Sequence, residues 1–127
     1  RRVLFRSVRP ATMMATKVTI KNSAYINLFG GVVQAATADA VVDCVAEGII
    51  PKDQADNLCI IDLVWIDPRT TTDPNLDMED LYRSNYEATK LAIQRALSNT
   101  PTVDDLIKTR HTVKHDMFDA ASGKWLR

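Results

Sequence analysis

The sequence of 127 residues has little cysteine and no long uninterrupted apolar run. Its two cysteines, Cys44 and Cys59, allow one disulfide at most and match no C-x-x-C spacing, so neither a disulfide scaffold nor a zinc finger is indicated. The longest apolar stretch, residues 58–66, is interrupted by Asp62 and is too short to cross a bilayer. We therefore expect a cytoplasmic protein that does not contact a membrane.

The chain also lacks an excess of charge of either sign. Its 16 Lys and Arg residues balance 16 Asp and Glu residues, and 46% of its residues are hydrophobic. A neutral chain has no basic surface field to attract nucleic acid, and this apolar fraction is too high for a disordered protein. The composition predicts a folded globular domain without a nucleic-acid partner.

The charge is unevenly distributed along the chain, because the first nine residues hold four arginines and no acid. An Arg-rich transit peptide is one interpretation of this segment. The other is that Arg-Arg-Val-Leu-Phe-Arg-Ser is the translation of a sequencing-library adapter, whose tail encodes this string. We predict that residues 1–7 are adapter sequence and that residues 8–127 are a partial domain whose amino-terminal part is missing.

Capping residues predict where the first helices begin and end. Asn22 is a suitable N-cap for a short helix over residues 23–29, which Gly30 and Gly31 are expected to stop. A second helix is predicted over residues 33–47 because apolar residues recur there at helical spacing. Gly48 is expected to end it in a left-handed conformation, and Pro51 prevents its continuation.

Two segments have strand character, residues 12–20 and residues 58–66. The second is apolar on both alternating faces, which is typical of a strand covered by helices on both sides. After an exposed loop over residues 67–75, a long helix is predicted whose inner stripe is Met78, Tyr82, Tyr86, Thr89, Ile93 and Leu97. Thr102 and Asp105 resemble a capping box before a short last helix. The predicted fold class is α/β, in an α+β two-layer arrangement of a sheet with helices packed on it.

The residues alone give few signals of chemistry. Gly30 and Gly31 lack the spacing of a dinucleotide-binding or phosphate-binding loop, and His111 and His115 lack the Glu of a zinc protease motif. Both cysteines are interpreted as small core residues. Asp62 is either a carboxylate held by a neighbouring donor or a catalytic group. The function stays open at this level.

Three blocks of residues resemble the formaldehyde-activating enzyme family. They are Lys-Val-Thr-Ile at 17–20, Ala-Glu-Gly-Ile-Ile-Pro at 46–51 and Asn-Tyr-Glu-Ala-Thr-Lys-Leu-Ala-Ile-Gln-Arg-Ala at 85–96. Their order and approximate spacing agree with the family pattern over about residues 9–96. The resemblance corresponds to the later part of the family domain.

The resemblance implies a tetrahydromethanopterin hydro-lyase, an enzyme of one-carbon metabolism and methylotrophy. Such an enzyme condenses formaldehyde with tetrahydromethanopterin to give the methylene derivative and water, without a metal. It further implies a cytoplasmic homopentamer that binds the pterin between subunits. The proton-donating histidine of the family lies in the missing amino-terminal part, so no catalytic residue is predicted in this chain.

Three substrate-binding positions are implied by the resemblance: Lys17 and Thr19 in the Lys-Val-Thr-Ile segment, and Gln34. Without it, they would be interpreted as two ordinary strand residues and a helix-start residue. The chain departs from the family pattern at residues 31–35, which contain one extra residue and no histidine. Two alternatives remain: a non-catalytic paralogue that binds a pterin or formaldehyde, and a structural subunit that assembles with catalytic paralogues.

Overall fold

The computed structural model describes residues 8–112 and the backbone of residues 118–119 and 124–125. The chain divides into two units, the first ending at Leu97 and the second beginning at Ser98. The predicted adapter, residues 1–7, and His115 lie outside the described residues. The first unit contains a parallel sheet and the helices that pack on it, which gives the α/β architecture expected from the sequence.

The sheet of the first unit consists of strands β1 (Ala11–Thr16) and β2 (Cys59–Val64). They are parallel, with Ala11 opposite Cys59 and Thr16 opposite Val64. β1 is shorter than predicted because the Thr16 hydroxyl donates to the Val18 carbonyl oxygen and accepts from the Val18 N–H, both at 3.1 Å. These bonds turn the backbone, so the Lys-Val-Thr-Ile segment follows the strand and does not form it.

One face of this sheet is covered and the other is open. Side chains alternate between the faces of a strand, and every second residue of β2 packs towards the helices. On the opposite face Met13 is 57%, Ile61 62% and Leu63 60% exposed. The prediction that β2 is covered on both sides is therefore wrong for the described residues, and Cys59, predicted to be a core residue, is exposed. An apolar residue pattern shows that a face is suited to burial and does not show what covers it.

Helix α1 (Ser23–Leu28) begins where predicted, because the Asn22 side chain accepts a hydrogen bond of 2.8 Å from the Tyr25 N–H. The prediction that Gly30 and Gly31 stop this helix is wrong. The chain continues through a π-helical turn (Phe29–Val33) directly into helix α2 (Gln34–Ala46). A π turn contains more residues than an α turn, so the helix passes through both glycines without ending.

The continuous helix Ser23–Ala46 is long and apolar enough, by length and composition, to cross a membrane. Helices buried in the core of a folded protein have the same properties. Here Ala36, Ala40, Val41 and Cys44 are completely buried. The helix therefore has a structural reason for its apolar composition, because it covers the sheet.

Helix α2 ends as the sequence predicts. Gly48 has a positive φ of 79°, and the Ile50 N–H donates to the Cys44 carbonyl oxygen at 3.0 Å, which turns Ile50 back towards the helix. Ile50 joins Val41, Cys44 and Ile93 in a buried apolar cluster. Cys44 is completely buried in this cluster, which confirms its interpretation as a core residue, and its burial raises the pKa of the thiol.

Helix α3 (Met78–Ser98) is the predicted long helix, and Asp77 caps its start by accepting from the Glu79 N–H at 3.0 Å. Of the predicted inner stripe, Thr89 and Ile93 are buried. Met78 and Leu97, at the two ends of the stripe, are exposed, because the helix extends beyond the surface on which it packs.

A row of polar contacts joins α3 to α2. The Tyr82 hydroxyl donates to Asp39 and the Tyr86 hydroxyl donates to Asp43, both at 2.5 Å, and Lys90 pairs with Glu47 at the same distance. The members of each pair are separated by 43 residues. The tyrosines were interpreted as packing residues, but their half-buried rings also carry these directed bonds.

The second unit contains the predicted short helix, α4 (Val103–Thr109). Its capping box is confirmed, since the Asp105 N–H donates to the Thr102 hydroxyl and the Thr102 N–H donates to the Asp105 carboxylate, both at 3.1 Å. Two short antiparallel strands follow, β3 (Phe118–Asp119) and β4 (Lys124–Trp125).

Candidate functional site

The carboxyl ends of the two parallel strands lie at one edge of the sheet, which is where open α/β sheets usually bind ligands. The Lys17 N–H donates to the Val64 carbonyl oxygen at 2.9 Å and extends the pairing by one residue beyond β1. Tyr25, buried at the start of α1, donates from its hydroxyl to the Ile66 carbonyl oxygen at 3.3 Å. These bonds fix the segments that follow both strands against the start of the helix.

Lys17 and Thr19, two of the predicted substrate-binding residues, lie in the segment after β1 and are exposed. Val18, between them, packs against a buried cluster that includes Tyr25 and Val64. Because Val18 is held inward, its two neighbours are free to contact a molecule from solution. Their predicted role in substrate binding stays a prediction.

Gln34, the third predicted residue, lies at the start of α2 and lines a cavity of about 340 Å³ between β1 and the helix. We call this space the Gln34 cavity. Its polar side chains come from Gln34, Thr12 and Thr37. The full lining is Val8, Thr12, Met14, Phe29, Gly30, Gln34, Thr37 and Ala38. A mostly apolar cavity with a few converging polar groups is the usual form of a small-molecule site.

Two glycines lie in the π turn beside this cavity, and no neighbouring atom among the described residues prevents a larger side chain at either position. A methyl group added to Gly30 or Gly31 would meet no other atom within 4 Å, and only Gly48 among the described glycines has a positive φ. Glycine inside a helix costs about 0.5–1 kcal/mol relative to alanine. Gly30 lines the cavity.

A polar pair joins the wall of the Gln34 cavity to strand β2. The Thr37 side chain is 2% exposed, and its hydroxyl donates to Asp62 Oδ2 at 3.3 Å. Burial raises the pKa of the Asp62 carboxyl, and the hydrogen bond from Thr37 opposes this shift. Of the two interpretations of Asp62 from the sequence, the structure supports a carboxylate held by a neighbouring donor.

A second cavity, of about 350 Å³, lies between β2 and α3. It is lined mainly by apolar residues, including Ile50, Ile60 and Ile93, with Asp62 and Thr89 as polar members. None of the three predicted substrate-binding residues lines it. The Gln34 cavity is therefore the better candidate site.

The site thus contains one predicted residue, Gln34, and one that the sequence did not identify, Thr37. Gln34 lies in the cavity, whereas Lys17 and Thr19 do not line it and belong to the edge beyond β1. Thr37 and Asp62 were missed as a pair because 25 residues separate them. In the sequence, only the carboxylate of Asp62 within the apolar strand indicated a polar contact here.

The described residues offer no other ionic cluster at this site. In residues 8–112, no three His, Cys, Asp or Glu side chains converge in a way that could hold a metal ion. Asp67, after β2, accepts from the Arg69 guanidinium and backbone N–H, which lower the pKa of that carboxyl to about 2. This pair orders the exposed turn Pro68–Thr72.

Comparisons with known proteins agree with these features. The sequence profile described as Formaldehyde-activating enzyme (Fae) matches residues 5–118. The 5,6,7,8-tetrahydromethanopterin hydro-lyase of Methanosarcina barkeri is 42% identical over 107 residues, which are 84% of this chain and 57% of that protein. A bifunctional enzyme Fae/Hps of Methanothrix thermoacetophila is 42% identical over 110 residues, 87% of this chain and 27% of that protein.

The chain spans little more than half the length of the first of these relatives and about a quarter of the second. The similarity nevertheless extends over most of the chain itself, including the sheet, the Gln34 cavity and helix α3. The chain belongs to the formaldehyde-activating enzyme family.

Proposed function

We propose that the protein to which this chain belongs condenses formaldehyde with tetrahydromethanopterin, forming methylene-tetrahydromethanopterin and water. The observation that carries the proposal is the family match over residues 5–118, together with a relative of 42% identity that is named a tetrahydromethanopterin hydro-lyase. The Gln34 cavity supports it, because a mostly apolar space with an amide at its edge suits a heterocyclic ring.

We propose that the described residues bind the pterin and do not supply the proton that the reaction requires. An amine nitrogen of the pterin attacks the formaldehyde carbon to give a carbinolamine, which then loses its hydroxyl as water when a proton is supplied. A second nitrogen closes the methylene bridge and releases a proton. The assisted steps require a positioned ring and a proton donor. The donor is proposed to lie outside this chain, and Gln34, Lys17 and Thr19 are proposed to hold and orient the pterin.

The proposal includes no metal, and it places the protein in the cytoplasm, without a membrane contact, as a homo-oligomer. The open apolar face at Met13, Ile61 and Leu63 supports an assembly, because such a face is rarely left uncovered in a monomer. A chelator that leaves the rate unchanged would support metal-independent turnover. Light scattering of the protein as it leaves a sizing column would give the number of subunits in the oligomer.

The test uses two forms of the protein. One is the chain of 127 residues, and the other is the same chain preceded by the amino-terminal part of the Methanosarcina barkeri relative, which supplies the predicted proton donor. Formation of methylene-tetrahydromethanopterin is followed against the spontaneous rate. We expect acceleration by the longer protein, and binding of the pterin without acceleration by the chain alone.

The variant Gln34→Ala should weaken pterin binding in both forms. Its control is Asn27→Ala, at an exposed position of α1 outside the cavity lining. If the longer protein binds the pterin but does not accelerate the reaction, the non-catalytic paralogue becomes the correct interpretation. If neither form binds tetrahydromethanopterin, the proposal is wrong.

A further inference from the structure

We propose that Thr37 is a specificity-determining residue of the Gln34 cavity and that Asp62 is the positioning residue that orients its hydroxyl. This inference rests on the proposed function, since it takes the ligand to be a pterin ring. Gln34 and Thr37 both line the cavity and are three residues apart on α2. Residues at this spacing are neighbours on one helix face, so the two side chains can contact adjacent groups of one small ligand.

The direction of the hydrogen bond between Thr37 and Asp62 determines what the cavity offers a ligand. A hydroxyl has one proton and two lone pairs. The Thr37 proton is committed to Asp62 Oδ2 at 3.3 Å, so its oxygen is left with only acceptor lone pairs for a ligand. Thr12 is held in the same way, because its hydroxyl donates to the Pro10 carbonyl oxygen at 2.9 Å. Two of the threonines that line the cavity are therefore left as acceptors.

Acceptor oxygens select ligands that present N–H groups. A pterin ring has an exocyclic amino group and ring N–H groups, and lumazine is the same bicyclic ring with an oxo group in place of the amino group. An acceptor facing the amino group gains a hydrogen bond, whereas an acceptor facing the oxo group is left unpaired and repelled. The apolar lining, Val8, Met14, Phe29 and Ala38, can contact the ring faces of either molecule.

Asp62 sets this preference through its ionisation. An ionised Asp62 can only accept from Thr37, but a protonated Asp62 can donate to it and release the Thr37 proton towards the cavity. The residues that face Asp62 are uncharged: Met14 is its partner on β1, Thr37 lies on α2, and Thr89 and Ile93 on α3 line the adjoining cavity. Burial raises the pKa of Asp62, so the preference should weaken as the pH falls through that pKa.

The test compares the dissociation constants of pterin and lumazine, measured by calorimetry on the chain of 127 residues. We expect the unmodified chain to prefer pterin about tenfold, the effect of one well-placed hydrogen bond inside a site. Thr37→Val, which keeps the shape and removes the hydroxyl, should clearly reduce this preference. Thr37→Ser should retain the preference, and Asp62→Asn should reduce it and remove its pH dependence. The matched control is Thr109→Val, at an exposed threonine of α4 that does not line the Gln34 cavity.

The possible outcomes separate this inference from the proposed function. If neither probe nor tetrahydromethanopterin binds the unmodified chain, both are overturned. If the probes bind and Thr37→Val keeps the tenfold preference, this inference alone is overturned. Circular dichroism checks that each variant is folded. If Thr37→Val does not fold, Thr37→Ser and Asp62→Asn replace it in the test. The inference is then overturned if Asp62→Asn prefers pterin as strongly as the unmodified chain and with the same pH dependence.

Discussion

The glycines of the π turn give a sharp test of the helix that builds the candidate site. The sequence predicts that Gly30 and Gly31 stop the first helix, whereas the structure continues it through Phe29–Val33 into α2. The two arrangements place opposite demands on Gly31. A helix stop generally requires a left-handed glycine, which alanine cannot replace without strain, but a residue inside a helix becomes more favourable as alanine.

The structure gives the expected magnitude. A methyl group added to Gly31 meets no atom within 4 Å, so Gly31→Ala should raise the free energy of unfolding by about 0.5–1 kcal/mol, the difference between glycine and alanine in a helix interior. Gly48 also has open space around its added methyl group, but its φ is 79°. Gly48→Ala should therefore lower the free energy of unfolding by about 1 kcal/mol, because the left-handed conformation strains alanine.

Urea unfolding followed by circular dichroism measures both variants against the unmodified chain, at a protein concentration low enough to limit association. Opposite signs for Gly31→Ala and Gly48→Ala support the continuous helix. If Gly31→Ala destabilises the chain as much as Gly48→Ala, the helix does stop at the glycines. The position of Gln34 in the cavity would then be incorrect.

Three further changes probe the rest of the first unit. Because burial raises the pKa of Asp62, ionised Asp62 disfavours folding at neutral pH, and Asp62→Asn should have the larger free energy of unfolding there. This difference should shrink as the pH falls through the folded-state pKa of Asp62. Urea midpoints that differ equally at all pH values would contradict this. The bond to Asp39 raises the pKa of Tyr82 to about 12, and the bond to Asp43 also raises the pKa of Tyr86. Ultraviolet absorbance should therefore show a late phenolate step that becomes smaller in Tyr82→Phe. A step of unchanged size in that variant would refute the assignment. Leu63→Lys, on the open face of the sheet, should reduce self-association measured on a sizing column, whereas Leu91→Lys on α3 should not. If both variants reduce self-association equally, the open face is not the contact surface.

The elements that the sequence predicted correctly depend on local chemistry. Asn22 accepts from a backbone N–H three residues later, and Gly48 adopts the left-handed conformation that its position requires. The capping box at Thr102 is equally local. Each of these signals is contained within a few residues, so it can be identified before the fold is known.

The errors have a common physical origin in tertiary structure. The two alternating faces of β2 are both apolar, but only packing decides which of them is covered, so Cys59 was placed wrongly. The bonds from Tyr82 and Tyr86 reach carboxylates 43 residues away. A periodic pattern of residues cannot predict contacts between positions so far apart in the sequence. The three substrate-binding residues came from the family resemblance, and the structure adds the cavity in which one of them lies.

Two irregularities that are unrelated in the sequence meet at this cavity. One is the π turn in the glycine segment, which immediately precedes Gln34. The other is the carboxylate of Asp62 in an otherwise apolar strand, whose partner Thr37 lies one helical turn after Gln34. Glycine inside a helix and a half-buried carboxylate each cost stability, and the pterin and lumazine comparison examines whether ligand binding explains them.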